Sequence, residues 1–199
     1  YSSRRQRQMC IRDRGMAPCS AMRVNFVGEL GWELHHPVEY QNHIFDQLME
    51  AGKEFGLKPY GIRAMNSLRV EKSYKLVGTE LSIEYSPYES GLDRFIHPNK
   101  GDFIGRAALD KWRAKGFSNK LVTMEIHGVT DADVLGNNPI YDNGSIVGRA
   151  TSGDFGFRLN KSIALGMVKP ELAKVGQKLK IDILGKMHEA SVVEESPYD

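Results

Sequence analysis

The stretch IYDNGSIVG, residues 140–148, decides the fold of the C-terminal part of this chain. Its Asp-Asn-Gly centre separates two short apolar runs, and Asn and Gly tolerate the positive φ angles of a tight β-hairpin. Alternating runs recur in LVTMEIH (121–127) and in KLKIDILGKMHEASVVE (178–194), around Gly185 and Lys186. Short strands at roughly ten-residue spacing, without helices between them, predict a small antiparallel β-barrel or sandwich.

Upstream of residue 116 the pattern is helical. One helical face is predicted at Ile44, Leu48, Ala51 and Phe55, which recur with a 3.6-residue period. A strand at 22–26 is expected to lead into VGELGWELH (27–35). The predicted helices cover 40–55, 62–74 and 106–115. The fold class is therefore α+β, with an α/β part at 16–116 and an all-β part at 117–199.

The first fifteen residues differ from the rest. They hold five arginines against the single Asp13 and show no strand or helix signal. RRQRQMCIRDR resembles a translated sequencing adaptor, so residues 1–15 are predicted to be a non-native tail. Subtracting this local +4 from the chain's +2 leaves −2, which gives no reason to expect nucleic acid binding.

Other functional classes find little support. The apolar runs are far shorter than the ~20 residues of a spanning helix, so no membrane segment is predicted. Cys10 and Cys19 lack the spacing of a disulfide scaffold and suggest a reducing, cytosol-like compartment. His35, His36 and His43 lack the helix-pair spacing of a zinc site, so no metal is predicted.

The motif at 27–35 carries two carboxylates. In a strand, alternation places Trp32 and Leu34 on one face and Glu33 with Gly31 and His35 on the other. Glu33 is therefore free to point into a cleft. Glu29 is expected to have a structural part beside the glycines.

Five motifs carry a family resemblance. GELGWEL (28–34), SLRVEKSY (67–74), SPYESGLDRFI (86–96), KGDFIGRAAL (100–109) and RATSGDFGFRLNKSIALGMV (149–168) follow one another in order. The chain from Met22 onward resembles the folate-binding aminomethyltransferase domain of the glycine cleavage T-protein family. It most resembles the form fused behind the flavin domain of dimethylglycine and sarcosine dehydrogenases. The resemblance implies a C-terminal fragment: an incomplete folate-binding domain (16–116) and a C-terminal β-barrel (117–199).

The resemblance also implies a ligand, tetrahydrofolate. Its pterin ring offers two parallel N–H donors that one carboxylate can accept. The family's pterin-binding glutamate is the second acid of its G-E-x-G-x-E motif, which is Glu33 here. Phe26 stands where many members have a tyrosine, and Met65 stands where the T-protein has an arginine.

Further cofactor-binding candidates are Trp32, Tyr88 and Glu89, the last two in a Pro-Gly loop. Arg69 and Glu71 are expected to form buried or capping ion pairs. Thr151–Asp154 resembles the family's T-S-G turn, where glycine permits a tight turn that holds the barrel against the α/β part.

The function implied by the resemblance is transfer of a one-carbon unit from an N-methyl amine to tetrahydrofolate. FAD is expected only in a missing upstream flavin domain, and the catalytic aspartate also lies upstream. No residue of this chain is therefore predicted to be catalytic, and the fragment is expected to be inactive alone. The expected location is cytoplasmic, or the mitochondrial matrix if eukaryotic.

Two alternatives remain open. One is the stand-alone glycine cleavage T-protein, which works with a lipoyl carrier protein. The other is a non-catalytic folate-binding protein of iron–sulfur assembly. Those proteins carry K-G-C-Y-x-G-Q-E, and Asp102 replaces that cysteine here.

Overall fold

A computed structural model describes residues 9–14, 17–129 and 131–198. By its internal contacts the chain divides into two compact units, Tyr1–Met65 and Asn66–Asp199. The domain boundary predicted near residue 116 was based on sequence composition and not on contacts, and it stays a prediction.

The first unit contains a three-stranded antiparallel sheet in the order β1-β2-β3. The strands are β1 (Met9–Arg14), β2 (Ala17–Met22) and β3 (Glu33–His35). Burial of Ala17, Cys19 and Ala21 alternates with exposure along β2, as expected for a strand with one covered face. Cys19 is a buried free thiol.

Two strand predictions for this unit were wrong. The segment predicted to lack a strand contains β1; whether that segment is non-native stays a prediction. The strand expected at 22–26 instead ends at Met22. The reason is local: the Asn25 side chain accepts hydrogen bonds from the backbone N–H groups of Val27 (3.2 Å) and Gly28 (2.7 Å). Such a turn competes with strand pairing.

The first long helix, α1 (Gln41–Gly52), lies between single 3₁₀ turns at Val38–Tyr40 and Lys53–Phe55. The predicted helix is therefore confirmed, and Gly56 ends it with a φ of +67°. Of the four residues that define its predicted face, only Ile44 is buried. Leu48 is 40% exposed and Phe55 81%.

Helix α2 (Ile62–Glu71) ends before the predicted Tyr74. Ser73 adopts a positive φ of 54°, and the Tyr74 N–H donates to the carbonyl of Arg69 (2.9 Å), which closes the helix end. Helix α3 (Arg106–Lys115) has the predicted bounds and stops at Gly116. Between α2 and α3 lie loops and the 3₁₀ turns Asp93–Phe95 and Pro98–Lys100.

The C-terminal part is a closed six-stranded antiparallel barrel, which confirms the predicted fold class. Its strand order is β4-β7-β6-β5-β8-β9, and pairing of β4 with β9 closes it. The strands are β4 (Lys120–Ile126), β5 (Pro139–Asp142), β6 (Ser145–Gly156), β7 (Lys161–Val168), β8 (Lys178–Ile183) and β9 (Lys186–Val193).

The hairpin between β5 and β6 forms at the predicted turn. Asn143 and Gly144 both have positive φ, 47° and 79°, as a two-residue primed turn requires. The barrel interior is filled by apolar side chains that are almost fully buried, among them Met124, Ile140 and Ile181. In the described residues, no helix is both long and apolar enough to cross a bilayer.

Candidate functional site

The predicted ligand-binding carboxylate, Glu33, is the first residue of β3. It pairs with Met22 of β2, so the sheet fixes the direction of its side chain. Glu33 Oε2 lies 3.2 Å from His35 Nε2, and the two side chains are 48% and 56% exposed. The predicted shared face of Glu33 and His35 is thus confirmed. The carboxylate is accessible and is fixed by a strand.

The loop before β3 carries two aromatic candidates. Phe26 is half-buried, and Trp32 is 52% exposed. Gly31 must lack a side chain, because a Cβ there would lie 2.8 Å from the Cβ of Asn25. The Asn25 turn and this close approach fold the loop back on itself. Trp32 is the last residue of the loop, directly before Glu33 at the start of β3.

Met65 is the last residue of the first unit and lies half-buried on α2. Its thioether cannot pair with a carboxylate as a guanidinium can. At this position, therefore, the chain has an apolar side chain instead of a cation.

The two loop candidates of the second unit, Tyr88 and Glu89, have different surroundings. The ring of Tyr88 packs against Phe117, with centroids 5.3 Å apart, and lies 6.0 Å from the guanidinium of Arg113. Its carbonyl accepts a hydrogen bond from Lys120 Nζ at 2.9 Å. Tyr88 is therefore held by the segment that leads into the barrel.

Glu89 is 2% exposed, and its carboxylate accepts four hydrogen bonds. Oε2 accepts from the N–H and the hydroxyl of Ser86, both at 2.9 Å; Oε1 accepts from the N–H groups of Ser118 (3.2 Å) and Asn119 (3.1 Å). Burial acts to raise the pKa of Glu89, but these hydrogen bonds outweigh it and place the pKa below its usual value. The residue joins the loop to the chain entering β4.

Sequence reasoning missed a buried polar network around Glu80. Glu80 is fully buried; its Oε2 lies 3.5 Å from Arg69 Nη1 and accepts from the N–H of Leu76 at 2.8 Å. Its Oε1 accepts from the hydroxyl of Ser152. Burial lowers the pKa of Arg69, and the charges of Glu80 and Asp154 act against that shift. The predicted buried ion pair of Arg69 is confirmed, with Glu80 as its partner.

Helix α2, which carries Arg69, also contacts the T-S-G segment directly, through Asn66. Asn66 Nδ2 donates to Asp154 Oδ2 at 2.6 Å, and Asn66 Oδ1 accepts from Arg69 Nε at 2.9 Å. Thr151–Asp154 was predicted as a tight turn, which is wrong: it lies inside β6. Gly153 is required there because a Cβ would lie 2.6 Å from the carbonyl oxygen of Val134. The predicted role in holding the barrel against the preceding part agrees with these contacts.

Glu71 is also buried, at 1% exposure. Its Oε1 accepts from the backbone N–H groups of Arg158 (2.8 Å) and Leu159 (3.2 Å), in the turn after β6. Helix α2 is thus anchored to the barrel through Asn66 at its middle and through Arg69 and Glu71 near its C-terminal end.

The structure brings Phe26, Trp32 and Glu33 together in one loop and strand of the first unit. Tyr88 and Glu89 lie in the second unit, in one loop. In the described residues, no cluster of three or more His, Cys, Asp and Glu side chains forms that could hold a metal ion.

Comparison with protein families gives two adjacent matches. Residues 6–100 match the GCVT N-terminal domain, and residues 119–199 match the glycine cleavage T-protein C-terminal barrel domain. Only a short segment, which includes α3, separates the two matches.

The curated relatives include dimethylglycine dehydrogenases and aminomethyltransferases. The chain is 40% identical over 179 residues to a mitochondrial dimethylglycine dehydrogenase of Homo sapiens, covering 89% of this chain and 21% of the relative. It is 35% identical over 175 residues to an aminomethyltransferase of Desulfitobacterium hafniense, covering 88% of this chain and 47% of the relative. The chain therefore spans about a fifth of the former and about half of the latter.

Among solved structures, the chain resembles the glycine cleavage system aminomethyltransferase T of Bartonella henselae, with a TM-score of 0.79. The match covers 89% of this chain and 49% of that one, at 24% sequence identity. At this identity the likeness shows a shared fold.

Proposed function

Because the chain belongs to the glycine cleavage T-protein family of folate-dependent aminomethyltransferases, we propose that it is the tetrahydrofolate-binding C-terminal part of a dimethylglycine or sarcosine dehydrogenase-like enzyme. The parent enzyme transfers a one-carbon unit from an N-methyl amine to tetrahydrofolate. The observation that carries the proposal is the accessible carboxylate of Glu33, fixed on β3 in the family's G-E-x-G-x-E motif.

The proposed role of Glu33 is to accept the two parallel N–H groups of the pterin edge. A carboxylate suits this role because each oxygen can accept one of the two hydrogen bonds. The contact with His35 uses only Oε2, at 3.2 Å, longer than the usual charge-assisted bond, and both side chains are exposed. The residues present therefore fit the ligand.

The aromatic and apolar candidates supply packing in this proposal. Phe26 and Trp32 present rings from the loop that leads to Glu33, and Met65 presents a thioether in place of a charge. Tyr88 is proposed to line the cleft from its loop. Glu89 would act on that loop, since both of its oxygens already accept bonds from its own chain.

When bound, tetrahydrofolate supplies the ring nitrogen that accepts the one-carbon unit. The chain's role is to hold and orient the pterin, which lowers the entropic cost of bringing the reactants together. The acid that assists the transfer is proposed to be an aspartate outside this sequence, and FAD to belong to an upstream flavin domain. The isolated chain is accordingly proposed to bind folate without turnover.

Two features favour a dehydrogenase parent over the stand-alone T-protein. Met65 replaces the arginine of the T-protein motif, and identity is 40% to the dehydrogenase against 35% to the aminomethyltransferase. The iron–sulfur assembly alternative is disfavoured by Asp102 in place of the cysteine of that motif. A glycine-rich dinucleotide fingerprint encoded several hundred residues upstream would identify the dehydrogenase; its absence would favour the transferase.

The proposed location is the cytoplasm, or the mitochondrial matrix for a eukaryotic source. The relatives from Homo sapiens, Rattus norvegicus and Mus musculus are described as mitochondrial. The methylated amine is proposed to contact the upstream domain.

The proposal is tested by assaying the isolated chain with a methylated amine, tetrahydrofolate and an electron acceptor. We expect binding of a reduced folate, measured by fluorescence titration, and no methylene-tetrahydrofolate above the uncatalysed background. Turnover by the chain alone would overturn the assignment of the catalytic groups to a missing segment. Absence of folate binding would overturn the assigned function.

A further inference from the structure

A cavity of about 290 Å³ lies in the second unit, between the barrel and the loops that precede it. Part of its wall is aliphatic and comes from β4, β9 and the segment after β7, and Ser73, Gly91 and Thr123 also line it. The apolar residues that line it are Leu121, Val122, Ala173, Val175, Val192 and Val193. Cavities of this size with apolar walls and a few charged groups are typical of small-molecule sites.

Five charged residues also line the cavity, and four of them form two pairs. Lys75 Nζ lies 2.6 Å from Glu195 Oε1, and the Lys75 side chain is only 8% exposed. Lys120 Nζ lies 3.1 Å from Asp93 Oδ2. These two cations are therefore neutralised by carboxylates of the same cavity.

The fifth charge is Arg94. In residues 17–129 and 131–198, no carboxylate lies within ion-pair distance of its guanidinium, which sits 5.0 Å from the ring centroid of its neighbour Phe95. The cavity thus combines several aliphatic side chains with a guanidinium that none of the described carboxylates neutralises. A guanidinium presents two parallel N–H groups that match the two oxygens of a carboxylate.

We propose that this cavity binds a small monocarboxylate with a short aliphatic or aryl body. The carboxylate pairs with Arg94, and the body packs on Leu121, Val175 and Val193, which keep exposed surface. Binding leaves the cavity electrically balanced, with three cations against three carboxylates. The proposal does not depend on the folate assignment, because Glu33 belongs to the other unit.

The test is an NMR titration of the 199-residue chain with hexanoate, following the backbone amides of Leu121, Val122 and Val192. We expect saturable shifts at these amides with a dissociation constant of roughly 1 mM, the range of a ligand of this size. Hexanol and hexylamine, which keep the body and remove the negative charge, are expected to bind at least about tenfold more weakly.

Arg94→Gln tests the assigned cation. Because Arg94 is exposed, the variant is expected to keep the wild-type amide spectrum and to bind hexanoate at least about tenfold more weakly. Lys111→Gln removes the same charge from α3, outside the cavity, and is expected to bind as the wild type does. Equal binding by Arg94→Gln and the wild type, equal binding of hexanol and hexanoate, or no shifts with hexanoate would each overturn the proposal.

Discussion

Arg69 Nη1 lies 3.5 Å from Glu80 Oε2, with both side chains almost completely removed from water. Such a pair is held only if further hydrogen bonds satisfy both groups. Glu80 accepts hydrogen bonds from the Ser152 hydroxyl of β6 and from the Leu76 N–H. Arg69 donates hydrogen bonds to the Asn66 side chain and to the Tyr74 carbonyl. The C-terminal half of α2 is thereby attached to the barrel.

Glu80→Gln leaves the buried Arg69 without its counter-charge at nearly constant volume. We expect the free energy of unfolding to fall by about 3–5 kcal/mol, the usual result of removing one partner of a buried ion pair. Urea denaturation followed by circular dichroism measures this difference.

Lys180→Gln is the matched control, because it breaks an exposed pair on the same barrel. Lys180 and Glu189 are 56% and 60% exposed, and their pair is expected to contribute at most about 1 kcal/mol. A Glu80→Gln variant as stable as Lys180→Gln would show that the buried pair is not needed.

Glu89 predicts a pH dependence of stability. Its pKa is lowered in the folded chain because hydrogen bonds outweigh burial. A lowered carboxylate pKa stabilises the fold above the unfolded value of about 4.3, and this contribution is lost as the pH falls through the folded pKa.

We expect Glu89→Gln to lower the free energy of unfolding by about 2–3 kcal/mol at neutral pH, with a smaller difference as the medium becomes acidic. Unfolding at a series of pH values measures it, and the exposed Glu171→Gln serves as control. A difference between Glu89→Gln and wild type that does not change with pH would contradict the assigned role of the carboxylate.

Gly153 tests the correction made to the T-S-G segment. If β6 must approach Val134 closely, Gly153→Ala is overpacked and should lose about 1–3 kcal/mol or more. Gly61→Ala, where no atom lies within 4 Å of the added Cβ, causes no overpacking and should cost only roughly 0.5 kcal/mol, because Gly is preferred to Ala where α2 begins. Thermal unfolding compares the two, and equal stability would mean that the close approach is not a constraint.

Local signals predicted much of the fold. The barrel followed from strand alternation and from the Asn143-Gly144 turn, and α3 from its periodicity and Gly116. Sequence pattern does not report such local contacts as the Asn25 side chain, which ended a strand early. Nor does it report what covers a helix face: Leu48 and Phe55 are exposed although their spacing is helical.

The candidate site divided in the same way. The common face of Glu33 and His35 was predictable, because it depends only on neighbours two residues apart. The Glu80 network was not, because its Ser152 partner is 72 residues away and no local pattern marks either residue. The buried setting of Glu89 likewise depends on Ser118 and Asn119, about thirty residues downstream.

The most direct test of the central claim is a titration of the chain with the stable formyl derivative of tetrahydrofolate, comparing wild type with Glu33→Gln and with the exposed control Glu39→Gln. We predict binding by wild type and Glu39→Gln, and weakening in Glu33→Gln by about 1.5–3 kcal/mol, roughly 10–150-fold. Equal affinity of Glu33→Gln and wild type would contradict the account, because it would show that this carboxylate does not hold the pterin.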